Sequence, residues 1–247
     1  MKTQFRLITI IFLAACMLLQ AACGSTEAAP TPTPVPTPTP TPVPLTPEEI
    51  IDLSTQASRD TPMHMVMDMQ MNMKVAEQDV AFAMNIDMDV NSEEEAQMTM
   101  VIDVLDQAVT MEMVIVGGKV YVKQPGSDEW TVTDQAPSEA LSSSQPFDLE
   151  GFQDATLVGE ETIDGMPVYH LRVKLPFPES ITAQLGSFEG LMDVDYYIAK
   201  DTYLPVKMAG AGELTVDVSG VAADVTFTLN ALFSNWGQEV EITAPIP

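Results

Sequence analysis

The sequence predicts an α+β domain in which a few short helices cover the concave apolar face of a large curved antiparallel sheet, an open half-barrel. Three observations carry that expectation. Long segments alternate apolar and polar residues with a period of two. Tight-turn dipeptides such as Gly117-Gly118 and Asp164-Gly165 join them. Helical patterns are too few and too short to cover so wide an apolar face if the sheet were flat, so the sheet is expected to curl round them and leave a cavity.

The chain opens with Lys2 and Arg6, then the apolar run "LITIIFLAACMLL", then "LLQAACGS". This is the layout of an export signal, with an apolar stretch too short for an ordinary membrane span. The second cysteine resembles the acylated cysteine of a bacterial lipobox, with Ala21 and Ala22 at the small positions and Gln20 where an aliphatic residue is usual. Residues 1–22 are therefore expected to be a lipoprotein signal peptide and Cys23 the lipidated residue. One alternative is Cys16, whose "LAAC" fits the lipobox letter by letter but shortens the apolar stretch to about nine residues, and another is simple secretion with the cysteine removed or left free. With Cys16 removed and Cys23 acylated, the mature chain has no free thiol and its fold is held by its core alone. The expected location is the extracytoplasmic face of the cell membrane, through the lipid anchor.

Residues 23–45 form the lipidated N-terminus and a linker, "PTPTPVPTPTPTPVP" at 30–44. Proline at every second position blocks helix and sheet and favours polyproline II. Fifteen residues at that rise span about 45 Å, enough to hold a domain off a membrane.

The remaining domain, 46–247, begins with a helix over 46–59. Thr46 is the N-cap, Pro47 the first helical residue and Glu49 closes a capping box, while Ile50, Leu53 and Ala57 mark one face. The strands follow. Odd positions are apolar from Met63 to Val75. Even positions are apolar in Val80, Phe82, Met84, Ile86, Met88 and Val90, and the pattern recurs in Met98, Met100, Ile102 and Val104, then in Val109, Met111, Met113 and Ile115. Later strands are expected in "KVYVKQ", "WTVT", "TLVGEETI", "MPVYHLRVKL", "MDVDYYI", "TYLPVKM", "ELTVDVSG" and "VTFTLNALF". Further helices are expected over 178–188, and weakly within 137–153.

The hairpin segments "GGKVYVKQPGSDEW", "VGEETIDGMPVYHLRVKL" and "DVDYYIAKDTYLPVKM" resemble those of the LolA-like lipoproteins, closest to the LppX/LprA/LprF/LprG group. The resemblance implies a curved half-barrel lined by helices, with acylated lipids or glycolipids bound in the hollow and moved through the cell envelope.

Twelve of the 17 methionines lie between Met63 and Met113. Thioethers suit Cu(I). Residues two apart on a strand, however, sit about 6.8 Å apart along it, and His64 alternates onto the opposite face from the methionines. Two readings rank above a Cu(I)-binding protein, which stays as a third. In one, methionine fills a dry core. In the other, its flexible side chains form an adaptable wall for acyl chains. The wall residues expected on the second reading are Met65, Met67, Met69, Met71, Phe82, Met84, Met88, Met98, Met100, Met111 and Met113. The ligand expected is a lipid or another hydrophobic molecule, with no cofactor and no metal. A sensor or scaffold of the same fold with a filled core is the competing class.

Thirty-six acidic residues face ten basic ones. Loss of Lys2 and Arg6 with the signal leaves eight, a net charge of −28. That balance disfavours nucleic acid and anionic headgroups as partners. Asp87, Asp89, Asp193 and Asp195 are read as surface carboxylates, and Trp130 and Trp236 as packing residues. No hydrolase elbow, zinc-protease motif or phosphate loop is present, so no enzymatic activity is expected.

The anchor expectation yields a test in a bacterial host with lipoprotein processing. Wild-type protein and Cys16→Ser should partition into the detergent phase of Triton X-114, whereas Cys23→Ser should stay in the aqueous phase. Detergent partitioning that survives Cys23→Ser would move the lipid to Cys16.

Overall fold

The computed structural model describes residues 44–75, 78–104, 107–144, 152, 154–176, 191–218 and 221–246, all within one unit, Pro44–Pro247. Cys16, Cys23, the linker through residue 43 and the helix expected over 178–188 lie outside the described residues.

The elements are α1 (Pro47–Ser58), β1 (Met63–Val75), β2 (Gln78–Ser92), β3 (Glu95–Val104), β4 (Gln107–Val116), β5 (Lys119–Lys123), β6 (Trp130–Thr133), α2 (Pro137–Ser144), β7 (Ala155–Ile163), β8 (Met166–Pro176), β9 (Leu191–Ala199), β10 (Pro205–Val218) and β11 (Val221–Ser234).

Helix α1 starts where its cap residues dictate. Thr46 Oγ1 accepts from the Glu49 amide at 3.2 Å, and Glu49 Oε2 accepts from the Thr46 amide at 2.8 Å. Together these satisfy two donors that a helix N-terminus otherwise leaves open. Its buried face is Ile50, Ile51 and Ser54, rotated from the Ile50–Leu53–Ala57 stripe that periodicity suggests. The Ser54 hydroxyl lies 3.5 Å from the Tyr196 hydroxyl, so a polar residue occupies the buried stripe while Leu53 and Ala57 are half-buried.

All eleven strands join one antiparallel sheet in the order β6-β5-β4-β3-β2-β1-β11-β10-β9-β8-β7. Two meanders, β1 to β6 and β7 to β11, therefore meet where the first strand pairs with the last. That junction is long and unbroken, running from His64 opposite Ser234 to Val75 opposite Ala223. The sheet is not closed, and among the described residues β6 and β7 are its edge strands. Hairpin chemistry fixes the registers locally. Gly117 and Gly118 have φ of +60° and +72°, and Asp164 and Gly165 have φ of +50° and +85°. These positive values are the ones that primed two-residue turns need.

Alternation places one face of every strand inward. The core joins Ile50 and Ile51 of α1, Ala140 and Leu141 of α2, and the inward side chains of β1 to β5 and β8 to β11. Past β11 the chain returns to the sheet. Gly237 donates to Pro62 O at 2.8 Å, and the Asn91 side chain both donates to Val240 O and accepts from its amide. Ile242 is buried there. Trp236 donates from Nε1 to Pro205 O at 2.9 Å and stacks on Phe233, the packing role expected of it.

One close approach needs glycine. A Cβ on Gly212 of β10 would stand 2.7 Å from Phe227 Cε1 on the neighbouring strand, so the ring lies over a position with no side chain. Gly212→Ala is expected to destabilise by about 1–3 kcal/mol through overpacking. The double variant Gly212→Ala/Phe227→Leu should recover most of that loss in thermal unfolding.

Candidate functional site

Period-two alternation and the observed registers stack the methionines into rows across four neighbouring strands. Met65 stands opposite Met88, Met88 opposite Met98, and Met98 opposite Met113. The next row is Met67, Ile86, Met100 and Met111, and the third is Met69, Met84, Ile102 and Val109. The fourth pairs Met71 with Phe82 and Phe82 with Val104. All eleven expected wall residues thus lie on one face.

The rows differ in depth. The first is fully buried, with Met65, Met88, Met98 and Met113 all in the core cluster. Met67, Met69, Met71 and Met84 are buried too, while Phe82, Met100 and Met111 are half-buried. Beyond them the wall reaches solvent, at Val104 (37 % exposed) and Val109 (39 % exposed). The methionine face is therefore a dry core at one end and an accessible apolar surface at the other.

The second half of the wall carries few methionines and is absent from the eleven expected residues. The Met67 row continues through Ala231, Met208, Tyr196 and Leu171, and the Met69 row through Leu229, Gly210, Val194 and Val173. All except Gly210 are buried core residues. Their signal was the same alternation, in "MDVDYYI" and "VTFTLNALF", without a methionine string to mark it.

Tyr196 is the one hydroxyl of this row and sits under α1. Burial pushes its phenol well above the ordinary tyrosine range, against the opposing effect of the Ser54 hydroxyl. Its apolar neighbours in the row offer dispersion contacts and water exclusion.

The opposite face is polar and paired. His64 Nδ1 lies 2.8 Å from Asp89 Oδ1, which turns the only histidine of β1 away from the methionines. Gln97 donates to Asp89, Asn85 to Asp68, and Lys123 to Glu112. A groove of about 610 Å³ also lies on this side, lined by Gln70, Asn72, Asp79, Ala81, Phe82, Ala83, Asp103 and Ala108. Phe82 borders it, yet the groove is separated from the methionine rows by the thickness of the sheet. Among the described residues no cluster of three or more His, Cys, Asp or Glu side chains is arranged to hold a metal ion. Among them also, no helix is long and apolar enough to cross a membrane.

The family model for the LppX_LprAFG lipoproteins matches residues 46–242. This chain belongs to that family. The chain is similar in structure to LppX of Mycobacterium tuberculosis, at 18 % identity and a TM-score of 0.45 over 78 % of this chain and 96 % of that one. LprF of Mycobacterium bovis gives 18 % identity and a TM-score of 0.46 over 80 % and 96 %. A LolA superfamily protein of Nitrosomonas europaea gives 10 % identity and a TM-score of 0.27 over 80 % and 96 %. No curated protein matches the chain by sequence.

Tyr196 supplies a pH test. A phenol whose folded pKa is raised contributes stability that is complete below the unfolded value near 10. That contribution is lost as pH rises toward the folded value. Wild type should therefore lose stability in urea between about pH 9 and 11. Tyr196→Phe should flatten that loss while costing about 1 kcal/mol or less at pH 7, because the bond it removes is long.

Proposed function

We propose that this protein is a lipid-anchored envelope protein that binds the acyl chains of a lipid or glycolipid against its methionine wall and carries or transfers them without covalent chemistry. In this reading Cys23 holds the anchor at the extracytoplasmic face, residues 23–45 are the tether, and 46–247 is the lipid-binding domain. The observation that carries it is the graded wall. Rows of methionine run from the buried Met65, Met88, Met98 and Met113 to the half-buried Met100, Met111 and Phe82 and the exposed Val104 and Val109. A core made only for stability gains little from methionine, whose three torsions specify packing poorly. A surface that must fit chains of varied length and unsaturation gains from the same softness. Membership of a lipoprotein family supports the anchored placement.

The test uses the Cys23→Ser chain, exported and purified without detergent. Native mass spectrometry should show a bound lipid that solvent extraction releases, and cis-parinaric acid should bind to the emptied protein. Met111→Lys and Met100→Lys should weaken parinaric binding about tenfold or more with little change in melting temperature, because both sites are half-buried and the new ammonium can reach water. Met67→Lys, at a fully buried position of the same row, should unfold the domain outright. Absence of lipid together with failure to bind parinaric acid would establish the filled-core scaffold instead. Stoichiometric copper in the purified protein would restore the thioether metal site.

A further inference from the structure

The wall makes no use of His170, a buried titratable side chain on the other face of the sheet. His170 is 7 % exposed, and both of its ring nitrogens face carboxylates. Nδ1 lies 2.7 Å from Glu161 Oε1 on β7, and Nε2 lies 3.0 Å from Asp195 Oδ1 on β9. The ring thus bridges β7 to β9 across its own strand. The residue paired with His170 on β7 is Gly159, and Glu161 lies two positions further along that strand. On β9 the paired residue is Tyr197, whose ring stacks on the imidazole at 4.5 Å between centroids.

We infer that His170 is a pH-sensitive clamp on β7, an edge strand of the half-barrel. A neutral imidazole donates from one nitrogen and presents a lone pair at the other. Both contacts are attractive only when the ring is an imidazolium. Loss of its proton turns one of the two contacts into a lone pair against a carboxylate, and either tautomer severs the bridge between β7 and β9.

The surrounding charges act unequally on the two ends. Asp195 also accepts from Arg172, from Nε at 3.0 Å and Nη2 at 2.9 Å. Burial works to raise the Asp195 pKa, but the bonds from His170 and Arg172 outweigh it and hold the carboxyl below its ordinary range. Asp195 thus keeps a cation when the histidine is neutral. Glu161 has no second cationic partner among the described residues. Lys207 of β10 faces the cluster from beyond Tyr197, 5.8 Å from that ring's centroid. The weak end of the clamp is therefore its contact with the edge strand. Edge strands lie at the low end of local stability because only one side of their ladder is paired, so a side-chain bridge matters more at β7 than it would in the middle of the sheet.

The experiment is amide hydrogen exchange on the Cys23→Ser chain between pH 6 and 8.5, corrected for the intrinsic effect of hydroxide and normalised to β1 and β11. Residues 155–163 should exchange about fivefold faster than the correction accounts for at the upper end. In parallel ¹⁵N spectra, loss of the second His170 ring proton should coincide with the range in which β7 loosens. His170→Gln should show the fast β7 exchange at every pH. If that variant does not fold, Glu161→Ala, an exposed change, should abolish the pH dependence by itself. A flat corrected profile in wild type, or wild-type pH dependence retained in Glu161→Ala, would overturn the clamp.

Discussion

The pairing of β1 with β11 is the contact on which the rest of the fold depends. It brings together residues about 160 positions apart and converts two local meanders into one sheet. Each meander forms from hairpins that close short loops at small entropic cost. Their junction closes nearly the whole domain, so it must be repaid by many simultaneous contacts. Twelve consecutive residue pairs without a register break supply them. A slip of one residue would turn every methionine of β1 to the polar face. The inward rows on both sides of the junction, Met67 with Ala231 and Met69 with Leu229, hold that register by burial.

From this register follows the character of the wall. The same inward face serves as a core where α1 and α2 add Ile50, Ile51, Ala140 and Leu141, and as an accessible surface where the shorter β3–β4 hairpin carries it toward solvent. Dispersion and water exclusion act alike at both ends, so the difference lies in coverage rather than in composition. Methionine suits such a gradient. It packs as well as other apolar residues where neighbours fix it, and it adapts where they do not.

The outer face obeys a different economy. Its carboxylates find partners across strands, as Asp89 does with His64 and Gln97, and Asp195 with His170 and Arg172. A chain with this excess of acid would otherwise accumulate repulsion on a single surface. Cross-strand pairing at these positions spends part of that charge on tying strands together. The His170 bridge does this at an edge, where backbone pairing alone is weakest.

Much of this was legible beforehand. The capping box fixed the start of α1, the Gly-Gly and Asp-Gly turns fixed two hairpins, and alternation assigned the methionine face, because each of these signals acts over a few residues. Other features were not. The buried stripe of α1 turned to include Ser54, since what a helix buries depends on the Tyr196 hydroxyl arriving from β9. The wall's second half went unassigned because valine, leucine and alanine in β8 to β11 look like any strand core until β1 is seen to pair with β11. Alternation alone puts His170 on the polar face, and only the sheet brings Glu161 and Asp195 to its two nitrogens. The sequence by itself determined which residues share a strand face, because that follows from the period of the backbone. Tertiary structure decided how deep each of them lies and what it meets, because those depend on contacts between strands far apart in the chain.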